Sequence, residues 1–208
     1  NNIKELIIYI DFYKDSKFGI KDAEIINNTI YLSYTNQVVQ DCFNISIISA
    51  DLEKDKIIFK KFFEPKECVN SNSNFLEFNP HHSGGRIVDY NQDFILLSTG
   101  DFKDFSKSQD HLSTLGKVLK INKKNGKYSM LASGLRNPQG LIYNKSTKSM
   151  ALTDHGPSGG DEINFINKKS EEAEEVINFG WPISSYGEHY GFKSKDDKNI
   201  LYKKAPLY

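Results

Sequence analysis

Three stretches of this sequence repeat one pattern, in which polar turn residues lead into an apolar run that closes on a hydroxyl. They are NNTIYLSYT (27–35), NQDFILLST (91–99) and STKSMALTD (146–154), so that Leu32-Ser33, Leu97-Ser98 and Leu152-Thr153 recur about every 55 to 65 residues. Each is followed by a second run of apolar alternation that ends in Asp or Asn and a charged turn: ISIISADLEKDKI (45–57), GKVLKINKKNGKY (116–128) and DEINFINKK (161–169). Two units also begin alike, with GGRIVDYNQ (84–92) and QGLIYNKS (139–146). Helical periodicity is confined to KKSEEAEEV (168–176). A unit of several strands at this period is too thin to bury both of its faces alone, which predicts an all-β fold of β-propeller type built from stacked blades. The competing expectation is a meandering β-sandwich whose strands look alike only because strands do.

Composition narrows the partners. Twenty-seven basic and 27 acidic residues cancel, and no Lys/Arg block is long enough to make a nucleic-acid footprint. No apolar run is long enough to cross a bilayer, so no membrane span is expected. The opening NNIKELIIYI lacks the features of a signal peptide, and the chain lacks an initiator methionine. The expectation is therefore a processed product or a piece of something longer. Cys42 and Cys68 have no metal-site spacing, and one disulfide or two free thiols are both open.

A propeller carries its chemistry on loops and strand ends around the channel, and four polar clusters occupy such positions. The first two are HHSGGR (81–86) and STGD (98–101), which flank one strand. If those loops fold back on one another, Asp101 orients His82 and stabilises its protonated form. His81 has no such partner and reads as loop polarity, while Arg86 reads as a structural anchor. The third cluster, GLRNPQG (134–140), sets a guanidinium and an amide beside a rigid turn, a combination suited to a planar anion or to pinning the turn. In the fourth, DHGPSGGDEINF (154–165), glycines and a proline leave carbonyls exposed and Asp161 and Glu162 follow, the hard oxygen donors that Ca²⁺ prefers.

Taken in order, HHSGGR, STGD, LGKVLKIN, GLRNPQGL, DHGPSGGDEIN and NFGWP resemble the soluble aldose sugar dehydrogenases dependent on pyrroloquinoline quinone (PQQ), the glucose/sorbosone dehydrogenase family. The resemblance runs from about residue 80 to residue 182. It implies a six-bladed propeller with PQQ and Ca²⁺ over the channel, of which this chain would span three to four blades. Blade-like repeats are then expected near 19–70, 80–130 and 136–182 of a single partial domain (1–208), with 183–208 beginning a further blade or a tail. Further blades, from the same chain or another, would close the ring.

Residue by residue, the resemblance implies that His82 is the general base in oxidation of an aldose to its lactone and that Asp101 orients it. It also implies that Arg136 and Asn137 contact PQQ, and that the Gly156 and Pro157 carbonyls hold the catalytic Ca²⁺. Glu162 and the Phe179 carbonyl match a second, structural calcium site. A sugar substrate, an external electron acceptor and a periplasmic or extracellular location follow from the same resemblance. The alternative is a propeller that kept the scaffold without the cofactor and binds carbohydrate or protein.

Overall fold

The repeated runs become the second strands of three antiparallel sheets. The computed structural model describes residues 18–52, 56–72, 77–167, 175–185 and 187, and, as strand backbone, Glu5–Ile7 (β1) and Lys203–Lys204 (β17). The predicted helical stretch at 168–176 lies almost wholly outside the described residues.

The first sheet orders β2 (Ile20–Ile26), β3 (Thr29–Val39), β4 (Cys42–Asp51) and β6 (Lys60–Phe63), with β7 (Val69–Asn70) also on β4 and β5 (Lys56–Ile58) paired in parallel with β1. The second orders β8 (Gly84–Asp89), β9 (Phe94–Thr99), β10 (Lys117–Asn122) and β11 (Tyr128–Ser133). The third is β12 (Pro138–Asn144), β13 (Ser149–Asp154) and β14 (Glu162–Ile166). After it, β15 (Ile177–Asn178) returns to pair in parallel with β11, and β16 (Ser184–Ser185) pairs with β17. One short helix, α1 (Phe105–Gln109), interrupts the connection from β9 to β10.

Strand periodicity explains how the sheets stack. Alternate residues of β9 point to opposite faces, so Ile95 and Leu97 join Ile45, Ile47 and Phe63 of the first sheet, whereas Leu96 joins Leu141, Met150 and Leu152 of the third. A strand buried on both faces has no room for polar side chains along its length, which is why FILL is continuous. The first strands, β2, β8 and β12, stand side by side as in successive propeller blades.

In the first two repeats the closing hydroxyl ties one sheet to the next. Ser33 Oγ donates to Gly85 O, and at the equivalent place Ser98 Oγ donates to Pro138 O (3.0 Å). Both serines are fully buried, and a buried hydroxyl needs such a partner. Arg86, the expected anchor, bonds Asp22 Oδ1 (2.9 Å) on one neighbouring strand and Gln139 O (3.3 Å) on the other.

Cys42 and Cys68 form a disulfide across 26 residues of sequence, resolving the two readings left open above. The clip also braces the second sheet, because neighbouring Glu67 accepts from Thr114 N (2.6 Å) and Thr114 Oγ1 (3.0 Å) and pairs with Lys107 (3.2 Å). For a loop of this length the chain-entropy cost removed from the unfolded state is about 3.5 kcal/mol. The paired Cys42→Ala/Cys68→Ala variant is accordingly expected to lose about 3.5 kcal/mol in urea unfolding; an unchanged midpoint would show that the clip constrains nothing.

Candidate active site

The loops that precede β8 and follow β9 meet at one end of the second sheet, as the pairing of His82 with Asp101 requires. Gly100 N donates to Ser83 O (2.9 Å) and Phe102 N to His82 O (2.8 Å), so the two loops run against each other backbone to backbone. His82 Nδ1 stands 3.5 Å from Asp101 Oδ1. That is ion-pair distance, yet Nδ1 makes no aligned hydrogen bond among the described residues. In sites without substrate such bonds are commonly long, and they tighten when the substrate arrives.

Asp101 is completely buried, which makes the supply of donors to its carboxylate decisive. Oδ1 accepts from Lys103 N (2.7 Å), and Oδ2 accepts from Trp181 Nε1 (2.8 Å). The first of these bonds requires the chain to double back, and Phe102 and Lys103 both take positive φ (51° and 70°) to achieve it. Left-handed backbone is costly for a bulky residue such as Phe102. Here the cost is offset by full burial of the ring, which stacks on Phe78 at 5.6 Å within the first core cluster. Helix α1 and the segment after it are fixed by Lys117, whose buried ammonium donates to the carbonyls of Lys107, Ser108 and Leu115 (2.5–3.0 Å). Burial pushes its pKa down to about 8.

The GLRNPQG cluster is brought to the same place. Asp101 N donates to Arg136 O (2.9 Å), and Gly84 N donates to Asn137 Oδ1 (3.3 Å). From behind, Asp154 at the end of β13 accepts both backbone amides, Arg136 N at 2.9 Å on Oδ2 and Asn137 N at 2.6 Å on Oδ1. Burial pushes the Asp154 carboxyl up to about 7 against the pull of these two bonds. Asp154→Asn turns an amide NH₂ toward one of two buried N–H donors, and the expected cost is about 2–3 kcal/mol. Chemical denaturation of the variant checks this, and a loss under about 0.5 kcal/mol would refute it.

These segments wall an open cleft of about 620 Å³, lined by Asn79, His82, Arg136, Asn137, Gly156 and Asp161 among others. His81, read from the sequence as loop polarity, lines it too, as do His155 and Pro157. His155 Nδ1 lies 3.4 Å from Asp161 Oδ2, and Gly156 N donates to Asp161 Oδ1 (3.1 Å), so Asp161 closes the glycine loop on itself. Glu162 opens β14, where it accepts from Asn164 Nδ2 (3.2 Å), and Phe179 follows β15 and donates its N–H to Ser133 O (3.0 Å). Neither is among the residues lining the cleft.

The donor set fits a planar anion. The guanidinium of Arg136 is buried at the cleft wall with Nε unpartnered among the described residues, and its planar fork suits a carboxylate or a quinone oxygen. For a cation the fit is through main-chain oxygens. Gly156 O accepts from Arg136 Nη1 (2.8 Å) and Pro157 O accepts from Gly160 N (2.8 Å), so a calcium ion on Gly156 O would compete electrostatically with the guanidinium. Among the described residues no group of three or more His, Cys, Asp or Glu side chains converges to hold a metal.

Spacing pointed to His82 and Asp101, and the GLRNPQG cluster to Arg136 and Asn137; neither gave a role to Trp181 or Asp154. Trp181 meets its partner across 80 residues, and the Asp154 side chain meets main-chain amides, which carry no residue-type signal.

The family model described as Glucose / Sorbosone dehydrogenase matches residues 20–205. The chain is 31% identical over 135 residues to Aldose sugar dehydrogenase YliI of Escherichia coli (strain K12), covering 58% of this chain and 34% of that protein. It is also 31% identical over 132 residues to the uncharacterized protein slr1608 of Synechocystis, across 30% of that protein. The chain thus spans about a third of the length of these curated relatives. Among solved structures, the soluble aldose sugar dehydrogenase of Escherichia coli in its apo-form superposes with a TM-score of 0.72 at 24% identity, over 93% of this chain and 58% of that one. The PQQ-bound aldose sugar dehydrogenase of Streptomyces coelicolor superposes at 0.55 with 22% identity, over 75% and 44%.

Proposed function

The chain belongs to the glucose/sorbosone dehydrogenase family, and from that membership we propose that the protein is an oxidoreductase that converts an aldose to its lactone with PQQ and Ca²⁺ in the cleft. The observation that carries this reading is the position of His82, with one ring nitrogen toward a fully buried carboxylate and its edge on the cleft that Arg136 also lines. Bound there, PQQ supplies a two-electron acceptor for the hydride leaving the anomeric carbon, and Ca²⁺ supplies a Lewis acid.

The residues of this chain do the rest. His82 takes the proton of the anomeric hydroxyl on Nε2, so that the C–O double bond of the lactone forms as the C–H bond breaks. Asp101 balances the charge this places on the imidazole ring. Arg136 and Asn137 would hold the anionic edge of the cofactor, where the Arg136 guanidinium would offset negative charge. The carbonyls of Gly156 and Pro157 would be the oxygen donors for the catalytic calcium. By the same resemblance, Glu162 and the carbonyl of Phe179 would hold a second calcium away from the cleft, with a structural role. An external acceptor would take the electrons onward.

The three sheets are read as consecutive blades over 19–70, 80–130 and 136–182, with 183–208 starting a further blade or a tail. A periplasmic or extracellular location is supported by the disulfide, which persists in oxidising compartments.

The test uses the intact protein with an aldose panel and a dye acceptor. Turnover is expected only when PQQ and Ca²⁺ are both present, and excess chelator should abolish it. No turnover with any aldose under these conditions would overturn the proposal.

A further inference from the structure

The side chain of Trp181 joins two residues that the proposed reaction uses, although it lines no part of the cleft. Its indole N–H donates to Asp101 Oδ2 at 2.8 Å in a buried environment. Its ring lies 5.4 Å from the centre of the Arg136 guanidinium and meets the Phe105 ring edge-on at 5.2 Å. The backbone fixes the ring in turn, since Trp181 N donates to Gly134 O (3.0 Å) and Trp181 O accepts from Gln109 Nε2 (2.6 Å). With 5% of its surface exposed, the residue has little freedom to turn away.

Charge accounting shows what the indole does. A fully buried carboxylate needs donors on both oxygens. Lys103 N serves Oδ1, the oxygen 3.5 Å from His82 Nδ1, while the donor recorded on Oδ2 is the indole. Without it, Asp101 is free to rotate about its Cβ–Cγ bond in search of a donor, and the oxygen facing His82 is no longer fixed. A tryptophan is suited to this task because its N–H is a pure donor on a rigid plane and cannot reverse the polarity of the contact as an amide or a hydroxyl can.

We propose that Trp181 is a positioning residue for the base: its indole N–H anchors one oxygen of Asp101 so that the other stays directed at His82, while its ring backs the Arg136 guanidinium. This rests on the reading of His82 as the base. The same contact links the motif that ends the resemblance, NFGWP, to STGD, 80 residues earlier.

The discriminating variant is Trp181→Phe in the intact protein, which keeps an aromatic ring beside Arg136 and Phe105 and deletes only the donor. The expected result is a drop of about tenfold in kcat, with the sugar KM unchanged. In an Asp101→Asn background the same change should alter kcat by less than about twofold, because the group through which Trp181 acts is already lost. An unchanged kcat, or an equal loss in both backgrounds, overturns the proposal. A second measurement needs no turnover. In ¹⁵N spectra of the cofactor-free protein, Asp101→Asn should move the Trp181 indole N–H resonance upfield, and Trp181→Phe should move the His82 ring resonances. If neither moves, the tie is refuted whether or not the protein oxidises sugars; if both move and no sugar is oxidised, only the assigned reaction fails. The indole resonance is read on native Trp181, so this arm also decides the case in which Trp181→Phe does not fold.

Discussion

Replacing His82 with alanine is expected to lower kcat for aldose oxidation by about 10²–10⁴-fold, the range that a positioned general base contributes. The physical requirement is a proton acceptor beside the anomeric hydroxyl, and among the histidines lining the cleft His82 is the one placed against a buried carboxylate. His155 also stands near a carboxylate, at 3.4 Å from Asp161, but both partners are more than half exposed, and water screens such a pair. His81 is exposed in the same wall. Stopped-flow reduction of the bound cofactor by an aldose measures the step directly. Equal rates for His82→Ala and the parent protein would remove His82 from the chemistry, and a large loss in His155→Ala instead would transfer the role there. Stability should change little, because His82 Nδ1 holds no aligned hydrogen bond and the loop is fixed by main-chain bonds from Gly100 and Phe102.

How far the sequence discloses this site depends on the range over which each contact is encoded. The apolar runs at 94–97 and 150–152 specify strands because a short apolar run bounded by turn residues is a local signal, and the closing hydroxyls at Ser33 and Ser98 occupy equivalent positions because each ties its own sheet to the next. His82 and Asp101 are legible because one strand separates them and both loops return to the same sheet end. The carboxylate of Asp154, which takes the Arg136 and Asn137 amides, is hidden for the opposite reason: in the sequence it opens DHGP and reads as part of a glycine loop. Trp181 is hidden because NFGWP enters only as the last motif of the resemblance, and its contact with Asp101 exists only once the chain returns through β15 to the edge of the second sheet. The pairing of Cys42 with Cys68 was undetermined because two cysteines constrain connectivity without fixing redox state. Helix α1 has five residues, too few for a helical period to emerge.

Gly100→Ala is expected to damage stability and catalysis together, and for one geometric reason. A Cβ at this position would fall inside contact distance of His82 O, 2.6 Å from His82 C and 2.9 Å from Ser83 C, all of them backbone atoms that no side-chain rotation can move aside. Relief to ordinary carbon contact requires the two loops to separate by about 1 Å. That movement strains the bonds from Gly100 N to Ser83 O (2.9 Å) and from Phe102 N to His82 O (2.8 Å), the pair that holds the loops in register. The expected destabilisation is about 3 kcal/mol, at the upper end for overpacking because main chain must move. The catalytic loss is expected to be about 10²-fold in kcat, since a shift of about 1 Å between base and carboxylate removes the alignment on which the proton transfer depends. Unlike His82→Ala, this variant retains every proposed catalytic side chain, so the loss would report on spacing alone. Urea unfolding together with kcat for the same preparation checks both effects. A folded Gly100→Ala protein with parental kcat would mean that the close approach of the STGD and HHSGGR loops serves the fold and has no part in setting the His82–Asp101 geometry.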